Sequence, residues 1–170
     1  HASYNHDLNG ISSTVSFFYG NERHYDNKEM DYYDKLYGGD ASSVDEFWTG
    51  ITGVNWNLSG DWYDVRFVYF ENDRDRTTNY TDRESVMTTP FSQRFLGFGG
   101  QANWENFTMY FDWNHVKYDD ANGTVFPTYL ISLVYNYNDF QPYISYSKAD
   151  HERNDATPPT EDLEEHYMLS

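Results

Sequence analysis

This 170-residue chain contains no cysteine, which removes disulfide scaffolds and thiolate metal sites from consideration. It contains no run of eighteen apolar residues either, and that excludes membrane-spanning helices. Basic residues are scarce: 11 Lys and Arg stand against 28 Asp and Glu, a formal net charge of −17. A phosphate backbone is bound by Lys and Arg, so this balance argues against nucleic acid as a partner and favours cations. None of His1, His6, His24, His115, His151 and His166 sits in HExxH spacing or beside a cysteine, so the residues point to no metal and no cofactor. No signal peptide is visible and the chain opens on His1, which reads as a mature or excised product.

Aromatic residues are abundant. Tyr (17), Phe (12) and Trp (5) make up 20% of the chain, yet its mean hydropathy is only −0.87. Strands that are apolar on one face and polar on the other produce that combination, because the wet face and the loops dilute the greasy one. One domain is the default at this length.

Short polar turns recur at His6-Asp7-Leu8-Asn9-Gly10, Asn57-Leu58-Ser59-Gly60-Asp61, Trp104-Glu105-Asn106 and Asn138-Asp139. Strands are expected at Ile11–Tyr19, Phe47–Asn57, Trp62–Phe70, Ser92–Asn103, Phe107–Val116, Tyr129–Tyr137 and Phe140–Lys148, with partial ones at Ala2–His6 and His166–Ser170. Long acidic loops are expected at 21–46, 71–90, 119–127 and 150–164, the last stiffened locally by Pro158-Pro159. Short turns at one end, long loops at the other and strands of about ten residues suit an antiparallel up-and-down transmembrane β-barrel of eight to nine strands, cut from a larger one. A soluble sandwich with one apolar core face is the alternative, since it also alternates.

Tyr63, Val65, Phe67 and Tyr69 oppose Asp64, Arg66 and Val68, while Phe107, Met109, Phe111 and Trp113 oppose Thr108, Tyr110, Asp112 and Asn114. In the same way Trp48, Val54, Trp56 and Leu58 are expected to oppose Thr49, Asn55 and Asn57. The bulky rings Tyr19, Trp48, Trp56, Tyr63, Trp104, Phe107, Trp113 and Tyr137 are assigned to the two membrane interfaces, where amphipathic rings favour the headgroup level. The lumen-facing set is Asn55, Asp64, Arg66, Gln93, Tyr110, Asp112 and Asn114. Charges there need water or a partner, so they form either a constriction with a transverse field or a salt-bridge network filling a closed barrel.

Other patterns carry less. Asp119-Asp120-Ala121-Asn122-Gly123 fails as a calcium loop, because Gly123 in the sixth position puts Tyr129 where a carboxylate is required. The triplets at Asn57, Asn79, Asn106 and Asn122 match the glycosylation pattern but read as turn asparagines or chance. His115 would need a serine beside it to serve a membrane-embedded hydrolase, and the sequence places none there.

Two phrases, Phe98-Gly99-Gly100-Gln101-Ala102-Asn103-Trp104-Glu105-Asn106-Phe107-Thr108 and Tyr135-Asn136-Tyr137-Asn138-Asp139-Phe140-Gln141-Pro142-Tyr143-Ile144-Ser145-Tyr146, resemble the hairpins of Gram-negative outer-membrane porins. In those a strand ends on an aromatic, turns in two residues and reopens on F-T or F-x-P-Y. The resemblance implies a non-enzymatic, water-filled barrel of about sixteen strands, trimeric as a rule, in contact with outer-membrane lipid and lipopolysaccharide. It implies passive diffusion of small hydrophilic solutes, and the acidic loops lean that toward cations. The porin pattern ends on an aromatic residue where this chain has Ser170, so a segment of such a barrel is expected. A closed barrel that binds a surface protein partner through its loops is the second reading.

Overall fold

The computed structural model describes residues 1–36, 38–87, 90–119, 123–150 and 164–169. The strands are β1 (Ala2–Leu8), β2 (Ile11–His24), β3 (Ser43–Ser59), β4 (Tyr63–Asn79), β5 (Val86–Met87), β6 (Phe91–Trp104), β7 (Phe107–Tyr118), β8 (Val125–Tyr135), β9 (Tyr143–Ala149) and β10 (Glu164–Leu169). All pair antiparallel in one sheet of order β1-β2-β3-β4-β6-β7-β8-β9-β10, with β5 added to β4. The all-β antiparallel meander expected from the turns is therefore present. Among the described residues no ladder joins β1 to β10, so the sheet has two edges.

The turns follow local backbone chemistry. Leu8 pairs with Ile11 across Asn9-Gly10, whose φ values of 50° and 81° suit the Asn-Gly hairpin tip. Trp104 pairs with Phe107 across Glu105-Asn106, and Asn138 at φ 50° lies in the turn between β8 and β9.

Several boundaries differ from the sequence expectation. β2 and β3 extend through His24 and from Ser43, so the first long connection is 25–42 instead of 21–46, and it holds a helix, α1 (Lys28–Leu36). β4 continues to Asn79, deep into the expected 71–90 loop, and β8 starts at Val125 inside the expected 119–127 loop. β8 stops at Tyr135 and β9 begins at Tyr143, leaving Tyr137 outside both strands in a bridge to Phe140. Residues 120–122 and 151–163, including Pro158-Pro159 and His151, lie outside the described residues. The strand ends were missed because both faces are charged there. Glu71, Asp73 and Asp75 alternate with Asn72, Arg74 and Arg76, and period-2 hydropathy has nothing to register.

The registers sort every strand residue onto one of two faces, since cross-strand partners point the same way. One lateral row of the first face runs Tyr4, Val15, Trp56, Phe67, Phe98, Trp113 and Tyr129. Another runs Gly100, Phe111, Ile131 and Tyr146. This apolar face crosses the whole sheet and is not packed into a core. Trp104 is 74% exposed and Tyr19 73%, and Phe17, Trp56, Phe98, Ile131, Leu133 and Ile144 are exposed as well. Among the described residues the buried hydrophobics are only Ala41 and Val44.

A pair of abutting bulges corrects one assignment. The β3–β4 register shifts between Thr49 and Thr52, and that of β2–β3 between Gly20 and Glu22. One extra residue inverts the side-chain alternation beyond it. Trp48 therefore pairs laterally with Glu22 and Arg74 and lies on the polar face, not beside Val54 and Trp56 as strict alternation required. Gly50 adopts φ 63° in the bulge, and its N–H donates to Asn21 Oδ1 at 2.8 Å. Asn21→Ala should cost about 1 kcal/mol by removing that bond, read as a lowered urea midpoint. An unchanged midpoint would mean that Asn21 does not hold the bulge.

Candidate functional site

The second face is polar, and all seven residues singled out from the sequence fall on it. Asn57, Arg66, Gly99, Asp112, Leu130 and Ser147 form one lateral row. Asn55, Val68, Gly97, Asn114 and Thr128 form the row on its loop side, and Asp64, Gln101, Tyr110, Ser132 and Ser145 the row on its turn side. Gln93 lies further toward the loops, opposite Asn72 and Tyr118. Arg66 and Asp112 are thus separated by one strand, about 10 Å between backbones.

Glycine shapes that separation. A Cβ on Gly99 would stand 3.1 Å from Asp112 Oδ1, and one on Gly97 2.9 Å from Asn114 Oδ1. Side chains of β7 therefore lean across β6, which carries no side chain of its own at those two positions. Asp64, Arg66 and Tyr110 are exposed, and Asn55, Asp112 and Asn114 half-buried. Among the described residues, Asp64, Arg66 and Asp112 form no ion pair. Ser132 and Ser145 share a cross-strand hydrogen bond of 2.6 Å within the row of Asp64 and Tyr110.

Toward the loops the same face changes character. Phe18, Gly53, Phe70, Phe95, Val116 and Phe126 make one lateral row. Phe70 stacks on Phe95 with centroids 5.0 Å apart and planes 13° from parallel, and Phe18 tilts against Phe70 at 6.5 Å. Phe18 reaches Phe70 across Gly53, where any Cβ would collide with the Phe18 ring and the Phe70 Cβ.

Beyond this aromatic row the face is covered. Asn27 caps α1: its Oδ1 accepts from Met30 N–H at 3.4 Å, and its carbonyl takes the first helical bond, from Asp31 N–H at 2.9 Å. Gly38 at φ 82° follows the last turn. Glu46, 1% exposed, pairs with Arg74, with Arg76 at 3.1 Å and with Asn27 Nδ2 at 3.2 Å. Met30 Sδ accepts from Arg76 at 3.2 Å. The Arg74 guanidinium also lies over the Phe91 and Tyr118 rings at 5.8 and 5.4 Å. One buried carboxylate thus ties the helix-bearing segment 25–42 to the polar face. Arg83 adds a second tie from the β4–β6 connection, pairing with Asp40 and covering the Tyr80 ring at 3.7 Å.

At the start of that segment the side-chain hydrogen bond from Lys28 holds the exposed Asp26 carboxyl below its ordinary range. A lowered folded-state pKa means the contact contributes fully above the unfolded value and is lost as pH falls through the folded one.

Arg74, Glu46 and Asn72 lie in the stretches 21–46 and 71–90, whose sequence predicts loops and not strands. The signal available was the parity of Phe70, Asn72, Arg74 and Arg76 continuing that of Asp64 and Arg66. His115 sits on the apolar face with its ring 6.1 Å from Trp113, and among the described residues no serine hydroxyl bonds it.

On the apolar side, the loop end of the sheet finishes in a polar collar. Arg94 donates to both oxygens of Asp119 at 2.9 and 2.7 Å, Lys117 stands 3.6 Å from Asp119, and Ser92 donates to Asp73 at 2.7 Å. Asp73, Ser92, Arg94 and Asp119 line a recess of about 380 Å³ together with Tyr69 and Glu71. No family model, curated protein or solved structure matches this chain.

Proposed function

We propose that the chain is a porin-like segment of a transmembrane β-barrel in the bacterial outer membrane. It lines a passive channel for small hydrophilic solutes or ions and favours cations. One observation carries the reading: large apolar side chains stand exposed along one entire face of the sheet, while the opposite face carries Asn, Asp, Arg, Ser and Gln. A soluble sheet of this width must bury its greasy face against a second layer, and among the described residues no second layer lies on it. Hydrocarbon is the environment in which such a face is stable. The Arg94, Lys117 and Asp119 collar then meets lipid and lipopolysaccharide headgroups, and Tyr19, Trp56, Tyr63, Trp104, Phe107 and Trp113 serve as interface rings.

In this reading the Arg66 and Asp112 row sets a transverse field in the water-filled lumen, and the segment 25–42 narrows the loop-side mouth. The formal charge of −17 raises local cation concentration and gives the selectivity its sign. In this reading further strands or other copies close the barrel at the β1 and β10 edges; a trimeric assembly comes from the porin resemblance alone.

The paired substitution Arg66→Ser and Asp112→Asn should shift the reversal potential under a salt gradient across a planar bilayer. Identical reversal potentials with and without these side chains would count against the proposal. The covered region around Glu46 and Arg74 favours one second reading, a closed barrel that displays its loops to a surface protein partner. That reading expects no steps of single-channel current at all.

A further inference from the structure

Of the ties between the segment 25–42 and the sheet, one is weak and can be altered chemically. Met30, half-buried on α1, turns its Sδ toward two cations: Arg76 Nη2 donates to it at 3.2 Å and Arg74 Nη2 at 3.6 Å. A thioether sulfur is a weak acceptor. The strong acceptor in the cluster is Glu46, whose Oε1 is shared by both guanidiniums while its Oε2 takes Asn27 Nδ2. Two cations thus converge on a single carboxylate oxygen, with the Met30 sulfur beside it. The methionines Met87 and Met109 lie elsewhere, 70% and 38% exposed on β5 and β7.

We propose that Met30 is a site of reversible oxidation, and that its sulfoxide tightens the hold of the segment 25–42 on the sheet. Hydrogen peroxide transfers one oxygen atom to the sulfur: an S–O bond forms and the O–O bond breaks. The proton on the transferred oxygen passes to the departing hydroxide, giving water, so the thioether loses two electrons and the peroxide gains them. In an apolar core the new oxygen would disrupt packing. Here guanidinium donors already point at the atom that receives it, and a hydrogen bond from a cation is stronger than a neutral one. The unbranched Met30 side chain and the partly exposed Arg76 have the freedom to seat the oxygen between them. The same cations draw electron density from the sulfur, so Met30 reacts after the more exposed Met87. The proposal needs only the fold and stands whether or not the lumen conducts.

The full chain folded in detergent is treated with increasing hydrogen peroxide, and the sulfoxides are located by peptide mass spectrometry. Trypsin cleavage after Lys35, exposed in the last turn of α1, then reports how often the segment opens. Oxidation is expected to slow that cleavage about five- to tenfold, and methionine sulfoxide reductases of both epimer specificities should restore the original rate. Met30→Leu should be cleaved at one rate before and after peroxide. Met30→Gln, which carries an amide oxygen close to the position of the sulfur, should be cleaved slowly with no oxidant present. The proposal is overturned if Met30 stays a thioether when Met87 and Met109 are fully oxidised, or if its oxidation leaves cleavage after Lys35 unchanged or faster. Slowing of the same size in peroxide-treated Met30→Leu would also overturn it, by assigning the effect to another methionine.

Discussion

Ile131→Arg is expected to cost about 2–4 kcal/mol of folding free energy in lipid vesicles, the price of a cation in the mid-region of a lipid-facing strand. Leu130→Arg, one residue earlier, should change it by no more than about 0.5 kcal/mol. In the isolated chain the two side chains are alike, Leu130 being 41% and Ile131 49% exposed. They differ in the face they occupy. Ile131 lies in the row of Phe111 and Tyr146, and Leu130 in that of Asp112 and Ser147. Urea titration of vesicle-folded protein, followed by tryptophan emission, measures both costs. A sheet whose apolar face looks into water would tolerate the two arginines equally, and that result would sink the membrane reading. If instead Leu130→Arg were the damaging change, the assignment of the faces would be inverted.

The second large effect is expected at Glu46. Glu46→Gln keeps the shape of the side chain but leaves the Arg74 guanidinium, 5% exposed, without its counter-charge. Breaking a buried pair from one side costs about 3–5 kcal/mol. Arg76 is partly exposed and can turn to solvent, whereas Arg74 is buried and lies over the Phe91 and Tyr118 rings. The loss should be local, because Asn27 and Met30 reach the sheet through the same cluster. Protease should then cut within residues 25–42 faster, and in the channel reading single-channel conductance should rise several-fold as the mouth widens. Equal cleavage rates in Glu46→Gln and the parent would show that the segment is held elsewhere, for instance through the Arg83 and Asp40 pair or the bond from Asn27 N–H to the Val44 carbonyl.

Much of the architecture was legible because alternation is a local property. Tyr63 to Tyr69 and Phe107 to Trp113 declare their two faces residue by residue, and Asn9-Gly10 fixes a hairpin by backbone preference alone. From those signals follow the antiparallel meander, the strand order and the shared face of Asn55, Asp64, Arg66, Gln93, Tyr110, Asp112 and Asn114. Composition added the acidic balance and the absence of thiol chemistry.

What depended on the tertiary structure was everything carried by register. The bulges at Gly20/Glu22 and Thr49/Thr52 moved Trp48 to the polar face, and no periodicity counted along β3 alone detects an inserted residue. Glu46 and Arg74 are 28 positions apart, and their pairing exists only because β3 and β4 run past the point where hydropathy stops alternating. The aromatic row likewise draws one residue from each of several strands, so Phe18, Phe70 and Phe95 become neighbours through hydrogen-bonded ladders and not through sequence. Local pattern sets which way a side chain faces; long-range pairing sets what it meets there.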